Sequence, residues 1–99
     1  MKEKVTFKEK NKLILKKPNM YKVILHNDDY TTMDFVVEIL IKVFNKSSAE
    51  ATKIMYDVHK KGFGIAGIYI YDIASTKVSQ VTYMAEQEGF PLKLTIEEE

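Results

Sequence analysis

Leu25-His26-Asn27-Asp28-Asp29-Tyr30-Thr31-Thr32-Met33-Asp34-Phe35-Val36 is the stretch on which the fold turns. Just before and into it, Met20–His26 alternates, with Tyr21, Val23 and Leu25 on one face and Lys22, Ile24 and His26 on the other. That is the period-two pattern of a strand. Downstream, Thr31 with Asp34 three residues on makes a reduced capping box, and Thr32 is a competing cap. Residues 33–44 are apolar at nine of twelve positions, from Met33 to Phe44. That is more than one stripe, so the expectation is a helix buried over most of its surface. Between strand and helix, Asn27, Asp28 and Asp29 offer acceptor side chains beside an oily surface.

Working outward, Asn45-Lys46-Ser47 breaks the first helix. Ser47-Ser48-Ala49-Glu50 is a full capping box for a second helix that runs to Lys60 or Lys61 and stops at Gly62. Residues 63–72 are rich in Ile and Tyr and predict a strand, with Gly64 and Gly67 marking bends or close backbone approach. A third helix is expected from Ile73 or Ala74 to Glu88, ended by Gly89 and Pro91. Leu92, Leu94 and Ile96 then alternate in a last strand, and Glu97, Glu98 and Glu99 are expected to fray into solvent. The order β-α-α-β-α-β predicts an α+β fold, a single small domain with three helices packed on one face of a mainly antiparallel three-stranded sheet. Residues 1–18 read as a flexible Lys-rich tail, and residues 19–99 as the domain.

Composition narrows the function. Cysteine is absent, which removes disulfides and thiolate metal sites. No apolar run approaches the roughly 20 residues of a membrane span, and the N-terminal segment lacks the ~7–15-residue apolar core of a signal peptide. A cytoplasmic protein is therefore expected, with no membrane partner. Residues 1–20 hold seven Lys against Glu3 and Glu9, while the remainder holds eight Lys against twelve acids. All 15 basic residues are Lys. An acidic body without Arg lacks the residue best suited to phosphate and guanine, so no nucleic-acid partner is expected.

The loop acceptors need a second polar group before they form a site, and His59 is the candidate. Met55, Val58 and His59 are spaced i, i+3 and i+4, so they share one helix face. A polar, acidic rim beside an apolar wall suits a ligand that is cationic at one point and hydrophobic next to it. Turn chemistry alone also explains Asn27-Asp28-Asp29, and a lone His beside core residues is commonly just solvated. An EF-hand reading fails because the mid-loop Gly is missing and Met33 and Phe35 stand where the helix should start or oxygen ligands are wanted. No metal or cofactor is expected, since His26 and His59 are far apart and form no ligand-spacing motif. Thr31, His59 and Asp28 match a hydrolytic triad by residue type, but neither a nucleophile elbow nor an oxyanion loop accompanies them.

From Met20 onward the chain resembles the ClpS family. The resemblance rests on Asn27-Asp28-Asp29-Tyr30-Thr31 followed by Met33, then Met55 with Val58-His59, residues 62–67, Thr76-Lys77-Val78 and Phe90-Pro91-Leu92. It implies an adaptor and not an enzyme, which binds proteins by a first residue of Leu, Phe, Tyr or Trp (an N-degron) and hands them to the AAA+ unfoldase of the Clp protease, ClpA-like or ClpC-like. By position, Asn27 and His59 would hydrogen-bond the substrate's α-amino group, with Asp28 completing that cluster. Leu25, Thr31, Met33, Val36, Met55, Val58 and Leu92 would line a hydrophobic pocket. Tyr30, Asp72 and Lys77 match surface positions that dock the unfoldase, and the tail would serve as the arm used in delivery. Thr32 stands where many relatives have Pro, and His26 at a position that is often apolar. A monomer is expected, because no heptad or edge pattern demands a dimer. The competing reading is a structural interaction domain of the same fold without such a pocket.

Overall fold

The computed structural model describes residues 18–99 and orders them as β1 (Met20–His26), α1 (Met33–Lys42), α2 (Ser48–Lys61), β2 (Phe63–Ile70), α3 (Tyr71–Glu88) and β3 (Lys93–Glu98). The expected tail, apart from Pro18, lies outside the described residues. Strand β1 takes the centre of a three-stranded sheet of order β2-β1-β3, and both of its pairings are antiparallel. The alternation accounts for its one buried face, where Val23 and Leu25 have no exposed surface. The α+β architecture with its helices on one face is the one expected, and the sheet is antiparallel throughout.

Val23, Leu25, Ile39, Leu40, Ala51, Ala66, Ala74 and Val81 are fully enclosed, and among the described residues no polar or charged side chain is buried with them. Burying each large aliphatic contributes about 1.5–3 kcal/mol. Surface pairs such as Lys42–Glu38 at 2.9 Å contribute only about 0.3–0.5 kcal/mol. The core therefore holds the domain.

Four local expectations are corrected. Helix α1 is not buried all round: Phe35, Val36, Ile39 and Leu40 face the core, while Met33 and Ile41 are exposed. Its apolar excess exceeds what one packed face can use. Thr32, and not Thr31, is its cap, accepting from the Phe35 amide at 3.1 Å. Helix α3 begins at Tyr71, directly after β2, rather than at 73 or 74. Its N-cap Ile70 makes no side-chain capping bond, so the start carries no sequence signal beyond Asp72, whose charge suits the helix N-terminus. Glu97 and Glu98 belong to β3: Lys22 pairs with Glu97 at 3.6 Å, and the Glu99 amide donates to the Met20 carbonyl at 2.9 Å.

The C-terminal end of α1 is closed by a residue from α3. The Lys77 ammonium donates to the Val43 carbonyl at 2.7 Å and lies 5.9 Å and 5.3 Å from the Phe44 and Tyr69 ring centroids. A cation at a helix C-terminus satisfies an otherwise orphan carbonyl. Lys77→Met keeps the stem and loses the charge, and it should cost about 1–3 kcal/mol. A lower urea midpoint with unchanged slope is the expected readout; an unaltered midpoint would count against this bracing.

Candidate functional site

The loop after β1 folds on its own acid. Asp28 Oδ1 accepts from the Tyr30 amide at 2.8 Å and the Thr31 amide at 2.7 Å, and Oδ2 accepts from the Thr31 hydroxyl at 2.7 Å. These contacts bend residues 28–31 into a tight turn and leave Thr32 free to start α1. Burial alone would raise the Asp28 carboxyl, but the Thr31 amide, the Thr31 hydroxyl and the Tyr30 amide together hold it below its ordinary value of 3.8. A carboxyl depressed in the folded state contributes stability above its ordinary value and loses it as the pH falls through the folded one. Acid titration below 3.8 should therefore loosen this turn. Unchanged Tyr30 and Thr31 amide shifts across that range would contradict the assignment.

The opposite wall comes from α2. Ser47 and Glu50 form the reciprocal capping box at its start, and Gly62 closes it in the left-handed conformation at φ 93°. Ending there leaves Met55, Val58 and His59 on one face, with Met55 and Val58 buried and His59 exposed. The Asn27 amide donates to the Gly62 carbonyl at 3.0 Å, joining the loop to the end of α2. Gly64 lets β2 approach α2: a Cβ there would meet Val58 Cγ2 at 2.8 Å and the Ile54 carbonyl at 3.1 Å. Gly64→Ala should cost about 1–3 kcal/mol through overpacking and shift the Val58 wall. Native stability in that variant would show that the approach is not tight.

Together these elements enclose an open cavity of about 240 Å³. Asn27, Asp28, Asp29 and Thr31 line it from the loop, Met33 and Val36 from α1, and Met55, Val58 and His59 from α2. Its volume gives room for a large side chain but is below the roughly 300–1,000 Å³ of pockets for drug-sized ligands. Val36, Met55 and Val58 form the buried part, 5%, 7% and 3% exposed, while Met33 stands at the rim, 43% exposed. The polar groups are on the mouth: Asn27, Asp29 and His59 are all exposed.

Eight of the sequence-derived site residues therefore meet in one cavity. Leu25 and Leu92 do not line it: both are in the core, and Leu25 has no exposed surface with which to touch a ligand. Asp29, read from sequence as one of the loop acceptors but given no contact to the α-amino group, also borders the mouth. Thr31, expected in the apolar wall, commits its hydroxyl proton to Asp28, so it is not a nucleophile activated by His59. Among the described residues no cluster of three or more His, Cys, Asp or Glu could hold a metal.

The three expected docking residues have different surroundings. Tyr30 is 75% exposed on the loop. Asp72 is exposed in the first turn of α3, beside a shallow cavity lined also by Tyr21 and Tyr71. Lys77 is half-buried against α1, as described above. Among the described residues no helix is long and apolar enough to cross a membrane.

Residues 16–95 match the family model of the ATP-dependent Clp protease adaptor protein ClpS. The chain is 62% identical over 97 residues to the ATP-dependent Clp protease adapter protein ClpS of Clostridium acetobutylicum, covering 96% of each. It is 58% identical over 99 residues to that of Acetivibrio thermocellus, covering the whole of both. Its fold superposes with a TM-score of 0.80 on the structure of Agrobacterium tumefaciens ClpS2 bound to L-phenylalaninamide, at 38% identity over 84% of this chain and 100% of that one. The chain belongs to the ClpS family, which are adaptors of the ATP-dependent Clp protease and not enzymes.

Proposed function

We propose that the cavity binds the first residue of N-degron proteins. The observation that carries this reading is the joining, in one side-chain-sized space, of a buried Val36, Met55 and Val58 wall with an exposed Asn27 and His59 rim. Asn27 and His59 receive the free α-amino group, and Met33, Val36, Met55 and Val58 enclose a bulky Leu, Phe, Tyr or Trp side chain. L-Phenylalaninamide, the ligand of the Agrobacterium ClpS2 structure, combines the same two elements, an α-amine and an aromatic side chain. The adaptor then delivers its cargo, in the cytoplasm, to a ClpA-like or ClpC-like AAA+ unfoldase. Tyr30, Asp72 and Lys77 serve in docking and residues 1–18 as the delivery arm.

The energetics fit. Each charge-assisted hydrogen bond contributes about 1.5–3 kcal/mol, and burial of a Leu or Phe side chain adds about 1.5–3 kcal/mol. After ordering costs, low-micromolar or tighter binding follows. Methionine at two positions lets the wall adapt to aliphatic and aromatic shapes. Fluorescence anisotropy with peptides differing only at residue one tests the reading. Binding of Phe and Leu peptides, with Val bound far more weakly, is the expected result. Failure of all three to bind would leave a ClpS fold whose cavity does something else.

A further inference from the structure

We infer that Asp28 is a positioning residue, which shapes the amine-binding rim by folding its own loop and does not itself take the substrate's ammonium. This rests on the cavity being the site for a free α-amino group. An ionised carboxylate offers about four lone-pair directions, and three of those on Asp28 are filled from within residues 28–31: the Tyr30 amide, the Thr31 amide and the Thr31 hydroxyl, at 2.8, 2.7 and 2.7 Å. A carboxylate so occupied has little left for a ligand. What it does control is the backbone on either side. Asn27 precedes it with its amide held by the Gly62 carbonyl at 3.0 Å, so the Asn27 side chain projects from a segment fixed at both ends. On the other side the turn hands the chain to Thr32 at the α1 cap.

Thr31 is drawn in as well. With its hydroxyl proton given to Asp28 Oδ2, Thr31 can no longer donate to anything in the cavity, and its oxygen is left as an acceptor. The positioning role thus fixes the hydrogen-bonding polarity of the loop as well as its shape, in the sense that a cationic ligand needs.

The test compares Asp28→Ala with Asp28→Asn in the full chain. Asn keeps a carbonyl oxygen for the Tyr30 and Thr31 amides, and its NH2 can donate to the Thr31 oxygen, so the turn survives without the charge. A Phe-initiated peptide should bind Asp28→Ala at least about tenfold more weakly than the native chain, whereas Asp28→Asn should recover to within about threefold of it. Protection of the Tyr30 and Thr31 amides from hydrogen exchange should follow the same order, being lost with Ala and kept with Asn. A loss with Asn as large as with Ala, while exchange protection is kept, would mean direct contact with the ammonium and overturn the proposal. Native affinity in Asp28→Ala would overturn it too. If the native chain binds no Phe peptide, the amine-site reading itself falls; if it binds and the Asn variant, with its turn amides still protected, does not, only the positioning role does.

Discussion

Acetylating the α-amino group of a Phe-initiated peptide should weaken its binding at least about a hundredfold, the effect of losing two charge-assisted hydrogen bonds of about 1.5–3 kcal/mol each. An α-amino group has a pKa near ~7.7–8.0 and is mostly cationic at neutral pH. It brings three donors to a rim that carries Asn27 and His59. Acetylation leaves one donor, removes the charge and adds a methyl and a carbonyl at the mouth of a cavity of only about 240 Å³. The phenyl group would still enter between Val36, Met55 and Val58, so residual affinity should be that of the apolar wall alone. Titration of free and acetylated forms of one peptide by anisotropy decides it. Equal affinity would mean that the rim reads no amine, and the polar cluster would revert to plain turn chemistry.

Leu25→Ala should remove about 2–5 kcal/mol of folding stability, the range for deleting a fully buried Leu side chain and leaving a cavity. Leu25 stands on the central strand with no exposed surface. Strand pairing on both sides, with Gly64 and Leu94 as its partners, prevents β1 from collapsing into the space left behind. Against a total stability of about 5–15 kcal/mol this is a large share. Thermal unfolding should shift by about 10–30 °C for a domain of this size. Peptide affinity, measured where the variant is still folded, should barely change, because Leu25 presents no surface to the cavity. A large affinity loss at full folding would instead restore Leu25 to the pocket wall.

How far the sequence could be read depended on whether each feature left a local chemical mark. The Ser47 to Glu50 capping box and the Gly62 stop are local, and both ends of α2 lie where they were expected. Period-two alternation marked β1 equally well. The start of α3 left no such mark: Tyr69-Ile70-Tyr71 looks like continuing strand, and the helix begins there without a capping side chain. The acidic C-terminus misled in the opposite way. Glu97 and Glu98 read as solvent-seeking, yet an exposed strand edge tolerates them and Lys22 pairs with Glu97. In the site, the sharing of one face by Met55, Val58 and His59 was legible from helical spacing. That Asp28 spends its lone pairs on Tyr30 and Thr31 was not, because choosing between Thr31 and Thr32 as the α1 cap requires the turn itself.

The single backbone bond between the Asn27 amide and the Gly62 carbonyl joins segments 35 residues apart in sequence. Neither segment completes the cavity by itself: the loop after β1 and α1 bring Asn27, Asp28, Met33 and Val36, while α2 brings Met55, Val58 and His59. Such long-range closures come late, since loop entropy must be overcome before they are rewarded. If the cavity is the proposed cargo site, recognition is thereby tied to completion of the adaptor's own fold. On the proposed reading, a copy with β1 and α2 apart has no complete cavity with which to hold a free N-terminus.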